Sequence, residues 1–426
     1  MLQSLKKRAY FLVAAYFGFW AGIVLKRWKP RIIVVTGSSG KTTTLHLIEA
    51  QLGERAVYSH HANSAIGLPF FILGMPPNVE SRSHWPLAFL RAPLRIFRRV
   101  PKQKLFVAEA DTDRPNEGKF LSHLLKPEVT LWISVYNTHA LNFDCLVNTE
   151  RFPEVIDAIA YEFGYFLARA QKLALLNGDQ VKMLEQKKRV VYKPKIQEFS
   201  DDSLKRFVLQ DAITEYSFND GIVTLPGLHP RELEVSLQMV KALVEYLQMP
   251  FDPHFKNFEL PPGRSSVFKG VKNTTIIDST YNTGGEAMAA IISLFKVYES
   301  SVKWMVIGDI LEQGKREEDA HERLAENIAK VKPARVVLLG PRTKKSTLPA
   351  LTKLLPKTPI VSFESPKDVL DYLQSELKGG ETLLFKGGRF LEGVIEQLLL
   401  DPKDAEHLVR RDALWTARRQ KWGLPR

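Results

Sequence analysis

The chain has 426 residues, 45% of them apolar and 25% charged, which suits two or three domains with full hydrophobic cores and excludes a disordered chain, a collagen-like fibre and a polytopic membrane protein. A single cysteine, Cys145, excludes a disulfide framework and a cysteine-built zinc site, and it fits a reducing, cytosolic setting. The net charge of +13 is concentrated in three stretches: residues 1–31 and 81–104 each carry seven Lys/Arg and no acid, and residues 402–426 carry seven against three acids. The remainder is mildly acidic, so the core is not a nucleic-acid binder, and basic stretches mixed with Trp, Phe and Leu point to an anionic membrane surface.

Tyr10 to Leu25 reads YFLVAAYFGFWAGIVL, without a charge, between Lys6-Lys7-Arg8 and Lys26-Arg27. As a helix it spans roughly 24 Å, short of the roughly 30 Å hydrocarbon core. No small-residue cleavage site follows it, so export is not expected. The expectation is a helix that lies on the cytoplasmic face of the membrane or barely spans it, with Trp20 and Trp28 at the interface; burial against the first domain or a partner is the other reading. Residues 86–100, PLAFLRAPLRIFRRV, repeat the apolar and basic mixture, and Pro93 is expected to break a continuous helix there.

From residue 31 onward, short β-branched runs alternate with helical patterns, which predicts a mainly parallel sheet flanked by helices. Strands are expected at Arg31–Val35, Lys104–Ala108, Val129–Val135 and Leu173–Leu176, with helices near 42–52 and 150–171. Pro250 to Arg264 holds four prolines and little periodicity, which marks a linker. After residue 265 a second series begins, with strands near 274–278, 303–307, 335–339, 359–362 and 381–385 alternating with helices. Four segments follow: 1–30, an apolar and basic helix; 31–250, a nucleotide-binding α/β domain; 251–400, a Rossmann-like α/β domain; and 401–426, a basic tail.

Arg31–Thr44 reads RIIVVTGSSGKTTT, a strand running into a glycine turn and a helix. That order suits a loop that cradles phosphates: Gly37 and Gly40 let backbone N–H groups of Ser38 and Ser39 turn inward, Lys41 reaches the β and γ phosphates, and Thr42, followed by Thr43, can hold Mg²⁺. The standard pattern has a glycine six residues before the lysine, where this chain has Val35.

The string TGSSGKTTT resembles the ATP loop of the Mur ligases, ATP-dependent amide-forming enzymes of peptidoglycan precursor synthesis, and within them the branch that adds D-alanyl-D-alanine. The likeness continues through Asn63-Ser64-Ala65-Ile66-Gly67-Leu68-Pro69, through Phe106-Val107-Ala108-Glu109 with Asn116-Glu117 beyond it, and through Lys126-Pro127 to Asn137-Thr138-His139. Later, Pro261-Pro262-Gly263-Arg264, Asp278-Ser279-Thr280-Tyr281-Asn282, the Gly308–Gly314 stretch with His321, and Lys386-Gly387-Gly388-Arg389 resemble the family's second-domain motifs. The resemblance implies that Glu109 and His139 serve magnesium, that Arg264, Asp278, Tyr281 and Asn282 meet ATP when the domains close, and that Lys386 lies near the incoming amine. It also implies an acyl phosphate made from a substrate carboxylate and ATP, then attacked by the amine of an amino acid or dipeptide, with a muramyl-peptide-like acceptor. A monomer is expected.

Three positions depart from that pattern. Only 35 residues precede Thr36, too few for the family's UDP-holding domain. The family's carbamylated lysine falls at Ala160, before Tyr161-Glu162, and the stretch that approaches adenine reads His229-Pro230-Arg231-Glu232. The alternatives to an active ligase are a degenerate ATP-binding scaffold or regulator at the membrane and, third, a ligase like the folate polyglutamylating enzymes, whose loop has Lys-Gly where this one has Lys41-Thr42.

Overall fold

A computed structural model of the chain describes residues 2–76, 85–147, 152–210, 213–281, 284–311, 313–388 and 390–424. The chain forms two compact units: Met1–Asp202 with Glu234–Asp252, and Ser203–Leu233 with Pro253–Arg426.

The first unit is built on six strands, β1 (Arg31–Thr36), β2 (Ala56–Tyr58), β3 (Leu105–Ala110), β4 (Val129–Trp132), β5 (Leu173–Asn177) and β6 (Lys195–Phe199). They lie in the order β2-β3-β1-β4-β5-β6 and every pairing is parallel. β1, β3, β4 and β5 are mostly apolar and, apart from Arg31, buried throughout, because both faces of a parallel sheet are covered. The helices are α1 (Leu2–Trp28), α2 (Lys41–Leu52), α3 (Gly67–Leu73), α4 (Trp85–Leu94), α5 (Glu117–Leu125), α6 (Ala140–Phe143), α7 (Val155–Arg169), α8 (Val181–Leu184) and α9 (Glu234–Tyr246). β1 lies between β3 and β4, so the turn leaving it opens at the carboxyl edge between two neighbouring strand ends, where open α/β sheets bind ligands.

The apolar N-terminal stretch is part of a 27-residue helix. Tyr10–Trp28 is long and apolar enough to cross a membrane, yet one face of it is core: Phe17, Ala21, Val24 and Trp28 are buried with Leu68, Phe70 and Phe106. Its opposite face, Leu12 and Phe19, is exposed. As expected, no continuous helix runs through 86–100: α4 ends at Leu94, with Pro93 in its last turn. A proline there cannot donate to the carbonyl four residues back, and Tyr16 Oη donates to that carbonyl, Phe89 O, at 2.8 Å.

The second unit opens with an antiparallel meander that the sequence reading left inside the first domain, β7 (Leu204–Gln210), β8 (Ile213–Phe218) and β9 (Gly221–Pro226). Leu209 and Leu228 pack on the second unit's core beside Ile277 and Met288. Residues 234–252 return to the first unit, where Thr44 Oγ1 donates to Ser236 Oγ at 3.1 Å and Gln51 Nε2 to Asp252 O at 2.9 Å. The main sheet holds β10 (Ser266–Gly270), β11 (Thr274–Ser279), β12 (Lys303–Gly308), β13 (Arg335–Leu339), β14 (Ile360–Phe363) and β15 (Thr382–Lys386) in the order β10-β11-β15-β12-β13-β14, parallel except for β10. Helices α10 (Gly285–Val297), α11 (Glu317–Val331), α12 (Leu348–Leu354), α13 (Pro366–Glu376), α14 (Leu391–Glu396) and α15 (Ala413–Gln420) accompany it. The basic stretch 401–426 is not a loose tail: α15 lies within it, Leu408 and Leu424 join the core, and Trp415 packs edge-on to Phe390.

Candidate active site

In the first unit the turn after β1 is shaped by close backbone approach. Gly37 has φ 134°, and a Cβ there would meet Ser134 N at 2.8 Å and O at 2.9 Å, so only glycine fits. The two serines lock the loop to the chain beyond β4: Ser38 N donates to Ser134 O (3.0 Å), Ser38 Oγ to Tyr136 O (3.1 Å), Ser39 N to Ser134 Oγ (2.8 Å), and Ser134 Oγ back to Ser39 O (2.8 Å). These bonds explain why the strand expected to run to Val135 stops at Trp132. Gly40 takes a left-handed conformation and α2 begins at Lys41, with Thr42 and Thr43 half-buried in its first turn.

Lys41 is buried; its Nζ donates to Gly37 O at 2.6 Å and pairs with Asp111 Oδ2 at 2.8 Å. Burial alone would depress its pKa, but Asp111 and Glu109 outweigh that and hold it above the ordinary lysine value. Glu109 ends β3 as expected; Asn63 Nδ2 donates to its carboxylate at 3.3 Å and its own N–H donates to Ser59 Oγ at 2.9 Å. His139 is drawn to two acids that sequence reasoning missed: its Nε2 lies 3.2 Å from Asp113 Oδ1, and Asp111, Asp113 and His139 each offer a ligand atom within 4.8 Å of the others. Glu109 and Thr42, expected to complete His139's metal set, are outside that trio. The signal was present, since Glu109, Asp111 and Asp113 alternate with Ala110 and Thr112, which in extended chain turns them to one side.

Behind the trio, Glu117 is fully buried and accepts from Ala65 N (2.8 Å), Tyr10 Oη (2.9 Å) and Asp113 N (3.1 Å). Burial pushes its pKa up to about 7. Glu162, on α7, is buried, and burial, partly offset by nearby backbone N–H groups at the start of α5, raises its pKa; Ala160 lies in the apolar cluster around Trp132 and Phe163.

In the second unit the site residues gather at the ends of β11 and β15, where Ser279 stands beside Lys386 in register. Asp278 is fully buried, accepts Thr280 N at 2.9 Å, and is pushed up to about 6 by burial. Lys386 is also buried; desolvation, reinforced by the Arg264 guanidinium and opposed by Asp278, brings it down to about 7. Gly387 has φ 115° and a Cβ on it would meet Gly308 backbone at 2.7 Å, so the turn after β15 passes tightly over the end of β12. Arg264 lies over the Tyr281 ring, 4.2 Å from its centroid, and Tyr281 N donates to Gly263 O at 3.2 Å. Arg410, from the stretch expected to be a tail, donates to Thr280 O and Tyr281 O (3.3 and 3.1 Å) and so fixes this turn. Asn282, and Glu312 and Arg389 of the flanking motifs, lie outside the described residues.

Three motif residues serve the fold. Asp309 is fully buried and accepts Arg342 N and Thr343 N (3.1 and 2.9 Å). His321 is buried with its Nδ1 3.0 Å from Thr347 Oγ1. His229 is buried against Pro226 O at 2.7 Å, and burial lowers its pKa to about 4.

Two family models match this chain, the Mur ligase middle domain over residues 35–239 and the Mur ligase glutamate ligase domain over residues 263–389. The chain belongs to the Mur ligase family of ATP-dependent amide ligases. Among curated relatives, it is 24% identical over 396 residues to the UDP-N-acetylmuramoyl-tripeptide–D-alanyl-D-alanine ligase of Bacillus subtilis, an alignment covering 89% of this chain and 78% of that one. It is 22% identical to the Escherichia coli enzyme of the same name, over 76% of this chain and 68% of that one. Its fold is shared with the MurF ligase of Thermotoga maritima solved in complex with ADP, at a TM-score of 0.71 and 21% identity over 92% of this chain and 84% of that one. A Mycobacterium tuberculosis folylpolyglutamate synthase shares it less fully, at a TM-score of 0.56 and 13% identity over 87% of this chain and 92% of that one.

Proposed function

We propose that this protein joins a D-alanyl-D-alanine-type amine to the carboxylate of a muramyl-peptide-like acceptor in the cytoplasm, using ATP to activate that carboxylate as an acyl phosphate. The observation that carries the reading is the juxtaposition of a permanently cationic Lys41 on a glycine-shaped turn with Asp111, Asp113 and His139. The N–H groups of Ser38 and Ser39, expected to turn toward phosphate, are held by Ser134, so Gly40 and the first turn of α2 would supply the backbone donors to the ATP phosphates, and Lys41 would leave Asp111 to neutralise charge on the transferring group. Two carboxylates and an imidazole fit a hard divalent cation, so Asp111, Asp113 and His139 would hold magnesium, with Thr42 and Glu109 as further oxygen donors. That ion would supply charge neutralisation at the phosphoryl group. In the second unit the buried Lys386 and Asp278 with the half-buried Arg264 form a set suited to binding anionic and amine groups of substrate, with Tyr281 under the Arg264 guanidinium.

The test is a phosphate-release screen with ATP and Mg²⁺, pairing D-alanyl-D-alanine, other dipeptides and single amino acids with muramyl-tripeptide acceptors that do or do not carry UDP. Release that requires both a muramyl acceptor and D-alanyl-D-alanine supports the reading. Release with glutamate and a folate would transfer the chain to the polyglutamylating class, and ATP binding without release under any pairing would make it a scaffold.

We further place the protein against the anionic inner surface of the membrane, lying on it through α1 and α4. In support, Leu12 and Phe19 of α1 and Leu90, Leu94 and Phe97 in and just after α4 are exposed, and every charged residue in 10–29 and 85–104 is Lys or Arg. Exposed apolar residues in stretches whose only charges are cationic suit acidic headgroups. Because α1 also carries core residues, surface substitution is the cleaner probe: Leu90→Glu with Phe97→Glu should abolish cosedimentation with phosphatidylglycerol vesicles, and equal sedimentation of parent and variant would remove the assignment.

A further inference from the structure

Away from the phosphate turn, the first unit brings together a second set of metal-type donors. His46 and Glu49 stand one turn apart on α2, a spacing that puts both on one side of a helix. His60 follows β2 and comes over the same side. His46 Nδ1 is 3.4 Å from Glu49 Oε2, and His60 Nε2 is 3.0 Å from that oxygen and 3.1 Å from Oε1. The two imidazole rings lie 4.9 Å apart, inclined by 35°. Every pair of donor atoms in the trio is within 4.8 Å.

Two imidazoles and one carboxylate form the donor set of three-ligand zinc sites that keep a fourth position open. With metal–ligand bonds of about 2.0–2.2 Å in a tetrahedron, neighbouring donors stand roughly 3.3–3.5 Å apart. The observed nitrogen–oxygen separations of 3.0 and 3.4 Å need shifts of only a few tenths of an ångström. The trio is half-buried, so its side chains are held in place while an ion can still reach them. Its chemistry also differs from that beside Lys41: nitrogen-rich donors favour borderline transition metals, whereas the oxygen-rich set of Asp111 and Asp113 favours a hard cation.

We propose that His46, Glu49 and His60 bind a divalent transition-metal ion of the zinc class at a site distinct from the ATP reaction. The ion would tie α2, whose first residue is Lys41, to the segment after β2, in which Ser59 and Asn63 hold Glu109. These three are positioning residues: they brace two chain segments that frame the phosphate turn, and none reaches the reacting atoms.

The experiment uses the full chain stripped of metal with chelator, titrated calorimetrically with Zn²⁺ and, separately, followed by the visible absorption of added Co²⁺. The expected result is one Zn²⁺ bound per chain with a four-coordinate Co²⁺ spectrum, both retained in His139→Ala and both lost, with affinity at least tenfold weaker, in His46→Ala/His60→Ala. Glu49→Gln, which keeps the shape of the site, should weaken Zn²⁺ binding with an unchanged circular dichroism spectrum, and the rise in melting temperature on adding Zn²⁺ should vanish with it. Undiminished Zn²⁺ binding in the double variant, or a Co²⁺ spectrum that disappears only in His139→Ala, would overturn the assignment.

Discussion

Lys41 in the first unit and Lys386 in the second are both buried lysines at strand-end turns, yet their surroundings drive them in opposite directions. Lys41 has a carboxylate at 2.8 Å and another nearby, and it is held above the ordinary lysine value. Lys386 has the Arg264 guanidinium in its vicinity and only Asp278 to offset it, and it falls to about 7. Burial penalises the charge in both; the partner decides whether the charge survives. The first lysine is thereby a fixed cation suited to phosphates, and the second can gain or lose its proton near neutral pH, which suits contact with an amine that must itself be deprotonated to attack.

The sharpest way to break this contrast is Lys41→Ala. Removing a fixed cation aimed at a developing negative charge costs at least ~100-fold in rate, so ATP-dependent phosphate release should fall by that much or more with the circular dichroism spectrum unchanged. Asp111 would then lose its partner, and Lys41→Ala should also melt lower than the parent. Turnover within tenfold of the parent would take the turn out of the reaction.

Lys386→Met should lower activity by about 100-fold but stabilise the protein, and the stabilisation should depend on pH. Between the folded value of about 7 and the ordinary 10.5, the unfolded chain binds a proton that the folded chain does not. Stability tied to this residue is therefore present at pH 10.5 and above and lost as pH falls toward 7. The methionine variant should raise the melting temperature more at pH 7 than at pH 10; an equal rise at both would mean that Lys386 is not depressed. A smaller effect is expected from Asp113→Asn, which should raise the Mg²⁺ concentration for half-maximal phosphate release about tenfold and leave the pH behaviour of Lys386 untouched.

The parts of this contrast that were legible in the sequence are local. A β-branched strand, two glycines, a lysine and a helix are contiguous, so Lys41 could be placed from Arg31–Thr44 alone, and Asp278 and Lys386 could be placed at strand ends for the same reason. What sequence could not supply were partners brought in by tertiary packing. The alternation of Glu109, Asp111 and Asp113 puts three acids on one side of the chain, but only the fold shows that Asp111 meets Lys41 and Asp113 meets His139. Arg410 read as part of a basic tail because its purpose, holding Thr280 O and Tyr281 O, lies some 130 residues away in the chain. The strand expected through Val135 ended early because Ser134 and Tyr136 bond to the phosphate turn instead of a neighbouring strand.

That last contact gives the mildest test of why the first unit's lysine is rigidly placed. Ser134 Oγ both accepts from Ser39 N and donates to Ser39 O, each at 2.8 Å, so one hydroxyl satisfies both polar groups of a single turn residue. Ser134→Ala leaves that N–H and C=O without their protein partner, and a lost hydrogen bond of this kind costs about 1 kcal/mol. Because the turn is also held by Ser38 N to Ser134 O at 3.0 Å, which is backbone and survives the substitution, the loop should loosen without collapsing. The KM for ATP should rise about fivefold while kcat changes less than twofold, since Lys41 keeps Asp111 and Gly37 O. A loss confined to kcat would show that the hydroxyl acts on the reacting groups and not on the shape of the turn.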